Sequence, residues 1–186
     1  MKAMYQKAAR LIPRLAPVVD LGCGSGYLAS ALQELGTYTG EYVGLDYSPV
    51  AVELAEAAIA ADNRQLRLPF FENYEDNRYN FYIQDLTTWE SQVSDATHKT
   101  VYTCFEVLEH LDSDTDLVAL VPARSRFIFS VPNYWSRSHV RTYDSVGVAF
   151  DKFSKLLSFN AWHILPTKQP EAAIYIYDTI RRGDKW

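Results

Sequence analysis

The chain has 186 residues, 48% apolar and 22% charged, which is enough apolar sequence for a packed core and too much for a disordered chain. Its net charge of −5 disfavours a broad phosphate-binding face, so nucleic acid is not the expected partner. No apolar run of roughly eighteen residues is present to span a membrane. The N-terminal Met-Lys-Ala-Met-Tyr-Gln-Lys has no apolar signal region, and Cys23 and Cys104 are too few for a disulfide framework, so one domain over residues 1–186 in the cytoplasm is expected.

Residues 4–16 have the spacing of a short amphipathic helix that Pro13 breaks near its end. Val18–Leu21 is a brief β-branched run halted by a glycine cluster. Residues 27–35 return to helical spacing and stop at Gly36. Tyr42–Asp46 is a second strand. Ser48 as N-cap and Pro49 at the first helical position open a third helix that reaches about residue 61. Residues 62–79 are polar and aromatic with no clear period and read as an irregular insertion. Tyr79–Ile83 is a third strand and 100–105 a fourth. A helix over 112–121 leads to a fifth strand at 126–131, which Pro132-Asn133 stops. A helix over 144–157 and two strands at 161–165 and 173–177 close the chain.

Strands alternating with helical stretches imply a parallel sheet covered on both faces. The link between the last two strands, 166–171, is too short for a parallel crossover, so that pair is expected to be antiparallel.

Three features carry chemistry. Asp20-Leu21-Gly22-Cys23-Gly24-Ser25-Gly26 lies between a strand and a helix, where glycines permit a tight turn and a close approach of backbone to ligand. Alone it is also consistent with an unliganded turn. Asp46 ends the next strand, twenty residues after Gly26, where an acid can accept hydrogen bonds from both ribose hydroxyls of a nucleoside. Asp85 ends the third strand, where an acid can accept from an adenine amino group or serve as an ordinary turn residue.

With these blocks in order, the sequence resembles the class I S-adenosylmethionine-dependent methyltransferases over roughly residues 16–160. The matching segments are Val18 to Gly26, Gly44-Leu45-Asp46-Tyr47-Ser48, Gln84-Asp85-Leu86 and Cys104-Phe105-Glu106-Val107-Leu108-Glu109-His110-Leu111. The resemblance implies an α/β, Rossmann-like fold with a seven-stranded, mostly parallel sheet ordered 3-2-1-4-5-7-6, the seventh strand antiparallel. It implies S-adenosylmethionine as cofactor and S-adenosylhomocysteine as product. Asp20, Gly22, Cys23, Gly24 and Gly26 would line the methionine end. Asp46 would hold the ribose, with Tyr47 beside it. Asp85 and Leu86 would meet the adenine, and Glu106 would sit beside the sulfonium.

Glu109 and His110 are the candidate catalytic pair. Their segment resembles that of the ubiquinone-pathway O-methyltransferases and of the small-RNA 3′-terminal 2′-O-methyltransferases, where Glu-x-x-Glu-His is tied to a divalent metal. Two carboxylates and an imidazole suit Mg²⁺, Mn²⁺ or Zn²⁺, and His139 could complete the set. His110 as general base and His110 as a structural brace stay open beside metal ligation, and a metal is not the favoured expectation. Arg137 and Arg141 are read as facing an anionic acceptor, with His139 and Arg141 the candidate substrate contacts.

The expected activity is methyl transfer to oxygen or nitrogen of a small molecule. A metal-assisted RNA 2′-O-methyltransferase and a catalytically silent cofactor-binding module are the alternatives. The glycine spacing disfavours a dinucleotide-dependent oxidoreductase.

Overall fold

A computed structural model describes residues 2–65, 78–90 and 99–183, with the side chains of 62–65 excepted. The chain packs as two compact units, Met1–Leu86 and Thr87–Trp186.

In the first unit, α1 (Lys2–Leu11) ends ahead of Pro13, earlier than the spacing indicated, because proline cannot supply the next helical N–H. β1 (Val18–Leu21) is buried at every position, as expected for a strand covered on both faces. It pairs in parallel with β2 (Tyr42–Asp46), which pairs in parallel with β3 (Tyr79–Ile83). α2 (Tyr27–Glu34) buries Leu28, Ala29, Ala31 and Leu32. α3 (Pro49–Gln65) starts as the sequence indicates: the Ala51 N–H donates to Ser48 Oγ at 3.3 Å. It runs past residue 61, so the first part of the expected insertion is helical; residues 66–77 lie outside the described residues.

In the second unit, β4 (Val101–Cys104) pairs in parallel with β5 (Arg126–Pro132). Between them are a 3₁₀ turn, Leu108–His110, and α4 (Asp114–Leu120). α5 (Val146–Phe153) is shorter than the helical spacing over 144–157 suggested. Leu157 already belongs to β6 (Leu157–Pro166), whose side chains alternate in burial. Those residues read as helix because Phe153 and Leu157 are four apart, a spacing that a helix and a helix-to-strand junction share. β7 (Ala173–Arg181) runs four residues past the expected end and is antiparallel to both β5 and β6. Phe129 organises this core, stacking on Phe127 at 5.2 Å and Tyr177 at 5.0 Å, with Phe153 edge-on at 5.5 Å.

The seven strands follow the order β3-β2-β1-β4-β5-β7-β6, as the resemblance implied. Among the described residues no helix is long and apolar enough to cross a membrane. Neither Cys23 nor Cys104 is in a disulfide, and both are buried.

Candidate active site

The glycine turn is built by left-handed backbone. Gly22, Gly24 and Gly26 have φ of 78°, 53° and 78°, a region that costs a residue with a Cβ roughly 1–2 kcal/mol. Gly26 is tight as well: a Cβ there would lie 3.0 Å from the Ala55 Cβ of α3. The Gly22 and Cys23 N–H groups both donate to Leu45 O, at 2.8 and 2.9 Å, which ties the turn to β2. The turn also needs Gly44, a residue for which the sequence suggested no role. A Cβ there would lie 2.6 Å from Phe81 Cδ1 and 2.9 Å from Cys23 Sγ.

Asp46 is the second structural member of this turn. Its Oδ2 accepts the Gly24 N–H and its Oδ1 the Ser48 N–H, each at 2.9 Å. A carboxylate has about four acceptor positions, so two remain for hydroxyl donors, and the residue is 8% exposed. These acceptor positions fit a ribose diol. Asp20 is 2% exposed and accepts the Tyr42 hydroxyl at 2.5 Å. A buried carboxylate of this kind suits a cationic amino group. Burial, with Asp20 and Asp46 nearby, pushes the Cys23 thiol well up, so it fills space as a neutral group rather than acting as a nucleophile. Tyr47 is 77% exposed. Asp85 is exposed and Leu86 buried.

The second cluster belongs to the other unit. Glu106 follows β4 with φ of 58°, a left-handed conformation unusual for a residue with a Cβ. Ser130, at the end of β5, holds it there: the Glu106 N–H donates to Ser130 Oγ at 3.0 Å, and that hydroxyl reaches Glu106 Oε1 at 3.4 Å. Burial raises the Glu106 carboxyl above the usual range, opposed by Ser130 and His110.

Glu109 is fully buried, and both carboxylate oxygens lack a hydrogen-bond partner among the described residues. Desolvation, then the charge of Glu106, pushes its pKa up to about 8. His110 Nε2 lies 3.9 Å from Glu109 Oε1. The two histidine rings meet edge-on at 4.9 Å. His110 Nδ1 bonds Ser138 O at 2.9 Å and His139 Nδ1 bonds Tyr134 O at 3.1 Å. A carbonyl only accepts, so each Nδ1 carries a proton, and in the neutral ring each Nε2 keeps a lone pair. Burial, and the charge of His110, lower the His139 pKa, partly offset by the Tyr134 carbonyl, which favours the neutral, ligating form. Glu109, His110 and His139 offer ligand atoms within 4.8 Å of one another. An orphaned buried carboxylate beside two oriented lone pairs fits a divalent cation.

Arg141 is not placed as an acceptor contact. Its guanidinium pairs with Asp114 Oδ2 at 2.7 Å and donates to the carbonyls of Leu108, Leu111 and Asp112. Its hydrogen bonds go to the protein's own turn, and the reading of it as an anion binder is corrected on that ground. Arg137 is exposed. Ser130 and Asp114 hold these segments in place, contacts that the sequence did not indicate: Ser130 lies in a Ser130-Val131-Pro132-Asn133 segment with no assigned role, and only the left-handed Glu106 and the buried carboxylate reveal what the two residues touch.

A glycine turn tied to an acid at the end of β2, on a sheet whose last-numbered strand runs antiparallel, defines a class I S-adenosylmethionine-dependent methyltransferase domain. The methyltransferase-domain family matches residues 1–161, and the chain belongs to that family. The chain is similar to a ubiquinone biosynthesis O-methyltransferase of Coxiella burnetii, at 26% identity over 155 residues, 81% of this chain and 58% of that protein. The chain thus spans little more than half the length of the curated relatives it matches. Among solved structures it is similar in fold to the YcgJ protein of Bacillus subtilis, with a TM-score of 0.64, 15% identity and 98% of each chain covered. It is also similar to the small RNA methyltransferase HEN1, with a TM-score of 0.69 and 18% identity, covering 96% of this chain and 25% of that one.

Proposed function

We propose that this domain transfers the methyl group of S-adenosylmethionine to a hydroxyl oxygen of a small-molecule acceptor, and that Glu109, His110 and His139 activate that hydroxyl with a divalent cation. The buried Glu109 carboxylate, which accepts no hydrogen bond among the described residues, carries this reading. The name of the Coxiella burnetii relative, an O-methyltransferase, supports oxygen over nitrogen.

The cofactor, when bound, supplies an already activated methyl group on a cationic sulfonium. What is asked of this chain is alignment and water exclusion, together worth up to ~7–11 kcal/mol. Asp46 offers its two remaining acceptor positions to the ribose hydroxyls, and Asp20 offers a carboxylate to the amino group. Asp85 and Leu86 serve the adenine, and Glu106 the sulfonium end. A cation held by Glu109 and the two Nε2 atoms would lower the pKa of an acceptor hydroxyl. Without it, Glu109 itself has the proton affinity of a general base at neutral pH.

The test is transfer of labelled methyl from S-adenosylmethionine to a catechol and to a primary amine, before and after EDTA. The expected result is methylated catechol, lost with EDTA and restored by Mg²⁺ or Mn²⁺. Unchanged turnover in EDTA, or turnover on the amine alone, contradicts the proposal. A ribose 2′-hydroxyl would suit the same cluster, and the net charge of −5 argues against an RNA carrying it.

A further inference from the structure

We infer that Arg141 is the positioning residue of the acceptor-activating cluster, a clamp that fixes the two separate segments bearing its ligands. The inference rests on the reading of Glu109, His110 and His139 given above and goes beyond it.

Those ligands come from two places. Glu109 and His110 sit on the 3₁₀ turn Leu108–His110, and His139 sits on the connection from β5 to α5. A 3₁₀ turn of three residues is weak by itself. Arg141, two residues after His139, ties the start of this turn to the two residues that follow it. Its Nη1 donates to Leu108 O at 3.4 Å and to Leu111 O, and its Nη2 donates to Asp112 O at 3.0 Å. Beside this clamp the Val140 N–H donates to Glu109 O at 2.9 Å. The same guanidinium therefore spans the turn while its backbone sets the position of His139.

Asp114 holds the guanidinium in place. This carboxylate is 2% exposed. Its Oδ2 receives Arg141 Nη1 at 2.7 Å, the Tyr143 hydroxyl at 2.7 Å and Lys152 Nζ at 3.0 Å, and its Oδ1 receives the Thr115 N–H at 2.7 Å. Two cations on one carboxylate is one more than charge balance requires. Lys152 from α5 already neutralises Asp114, so the arginine is there for its geometry. Only a planar fork of donors reaches a carboxylate and three carbonyls together; an ammonium has the charge without the spread. The surplus also means that replacing Arg141 does not strand a buried charge.

The test titrates Mn²⁺ into metal-free protein, with free ion read by electron paramagnetic resonance, for wild type, Arg141→Lys, Arg141→Gln and Lys152→Gln. Thermal melting and S-adenosylhomocysteine affinity are measured on each. Arg141→Lys and Arg141→Gln are expected to weaken Mn²⁺ about 10-fold or more, the range for residues that orient metal ligands, with cofactor affinity unchanged. Lys152→Gln, which touches the same carboxylate and not the turn, is expected to lower the melting temperature and keep Mn²⁺ affinity. Wild-type Mn²⁺ affinity in both Arg141 variants overturns the clamp. So does an equal loss in Lys152→Gln, since any disturbance of Asp114 would then suffice. No Mn²⁺ binding by wild type overturns the cluster reading itself and this inference with it.

Discussion

Gly24 and Gly26 separate two costs that a glycine turn combines. Both have left-handed backbone, yet a Cβ on Gly24 meets nothing within 4 Å, whereas one on Gly26 meets the Ala55 Cβ at 3.0 Å. Gly24→Ala is expected to cost about 1–2 kcal/mol from backbone strain alone. Gly26→Ala adds overpacking of about 1–3 kcal/mol; urea unfolding of both variants measures the difference. Glu109 gives a pH signature. Its folded pKa of about 8 lies above the ordinary 4.5, so across that window the metal-free folded chain holds a proton that the unfolded chain has released. Stability from this group is intact below about pH 4.5, falls as pH rises toward 8, and is flat above. In EDTA, Glu109→Gln is expected to flatten that slope and to melt higher than wild type at pH 8. An equally steep loss in the variant contradicts the raised pKa. The motif glycines, Asp46 and the Glu109-His110 pair were legible in the sequence because they are local. Gly44 and Ser130 were not, since each acts through a residue from another element, Cys23 and Glu106 respectively.

At the scale of elements, β5 and β7 are joined by Arg126 and Asp178, a bidentate pair at 2.8 and 2.6 Å. The two side chains are 25% and 13% exposed, so the pair is partly desolvated and shielded from the screening that weakens surface bridges. Asp178→Ala is expected to lower stability by about 1–3 kcal/mol, because it leaves the guanidinium half-buried and unpaired; a loss indistinguishable from zero by denaturant titration would contradict this. Element order and type were readable from hydrophobic period and from Ser48-Pro49. Ends were less so. The α5-to-β6 junction was misplaced because Phe153 and Leu157 both enter the core, Phe153 from a helix and Leu157 from a strand. Arg141 was misread for a related reason: its pattern says exposed cation, and only the packing of its loop on the 3₁₀ turn shows where its donors go.

For the molecule as a whole, the length of one link decided in the sequence that the last two strands oppose each other. A connection of a few residues cannot carry a parallel crossover, and β6 and β7 pair antiparallel; the antiparallel pairing of β7 with β5 was an implication of the resemblance. The division into units at Leu86 and Thr87 had no such signal, since no linker composition marks it. We propose that the cofactor is held by the glycine turn and Asp46, while Glu109 serves the acceptor. Calorimetric titration of S-adenosylhomocysteine into wild type, Asp46→Ala and Glu109→Gln tests it most directly. Binding is expected by wild type and by Glu109→Gln, with at least about tenfold weaker binding by Asp46→Ala, given ~1.5–3 kcal/mol for each hydrogen bond to a charged group. Undiminished affinity in Asp46→Ala, or no binding by wild type, would contradict it.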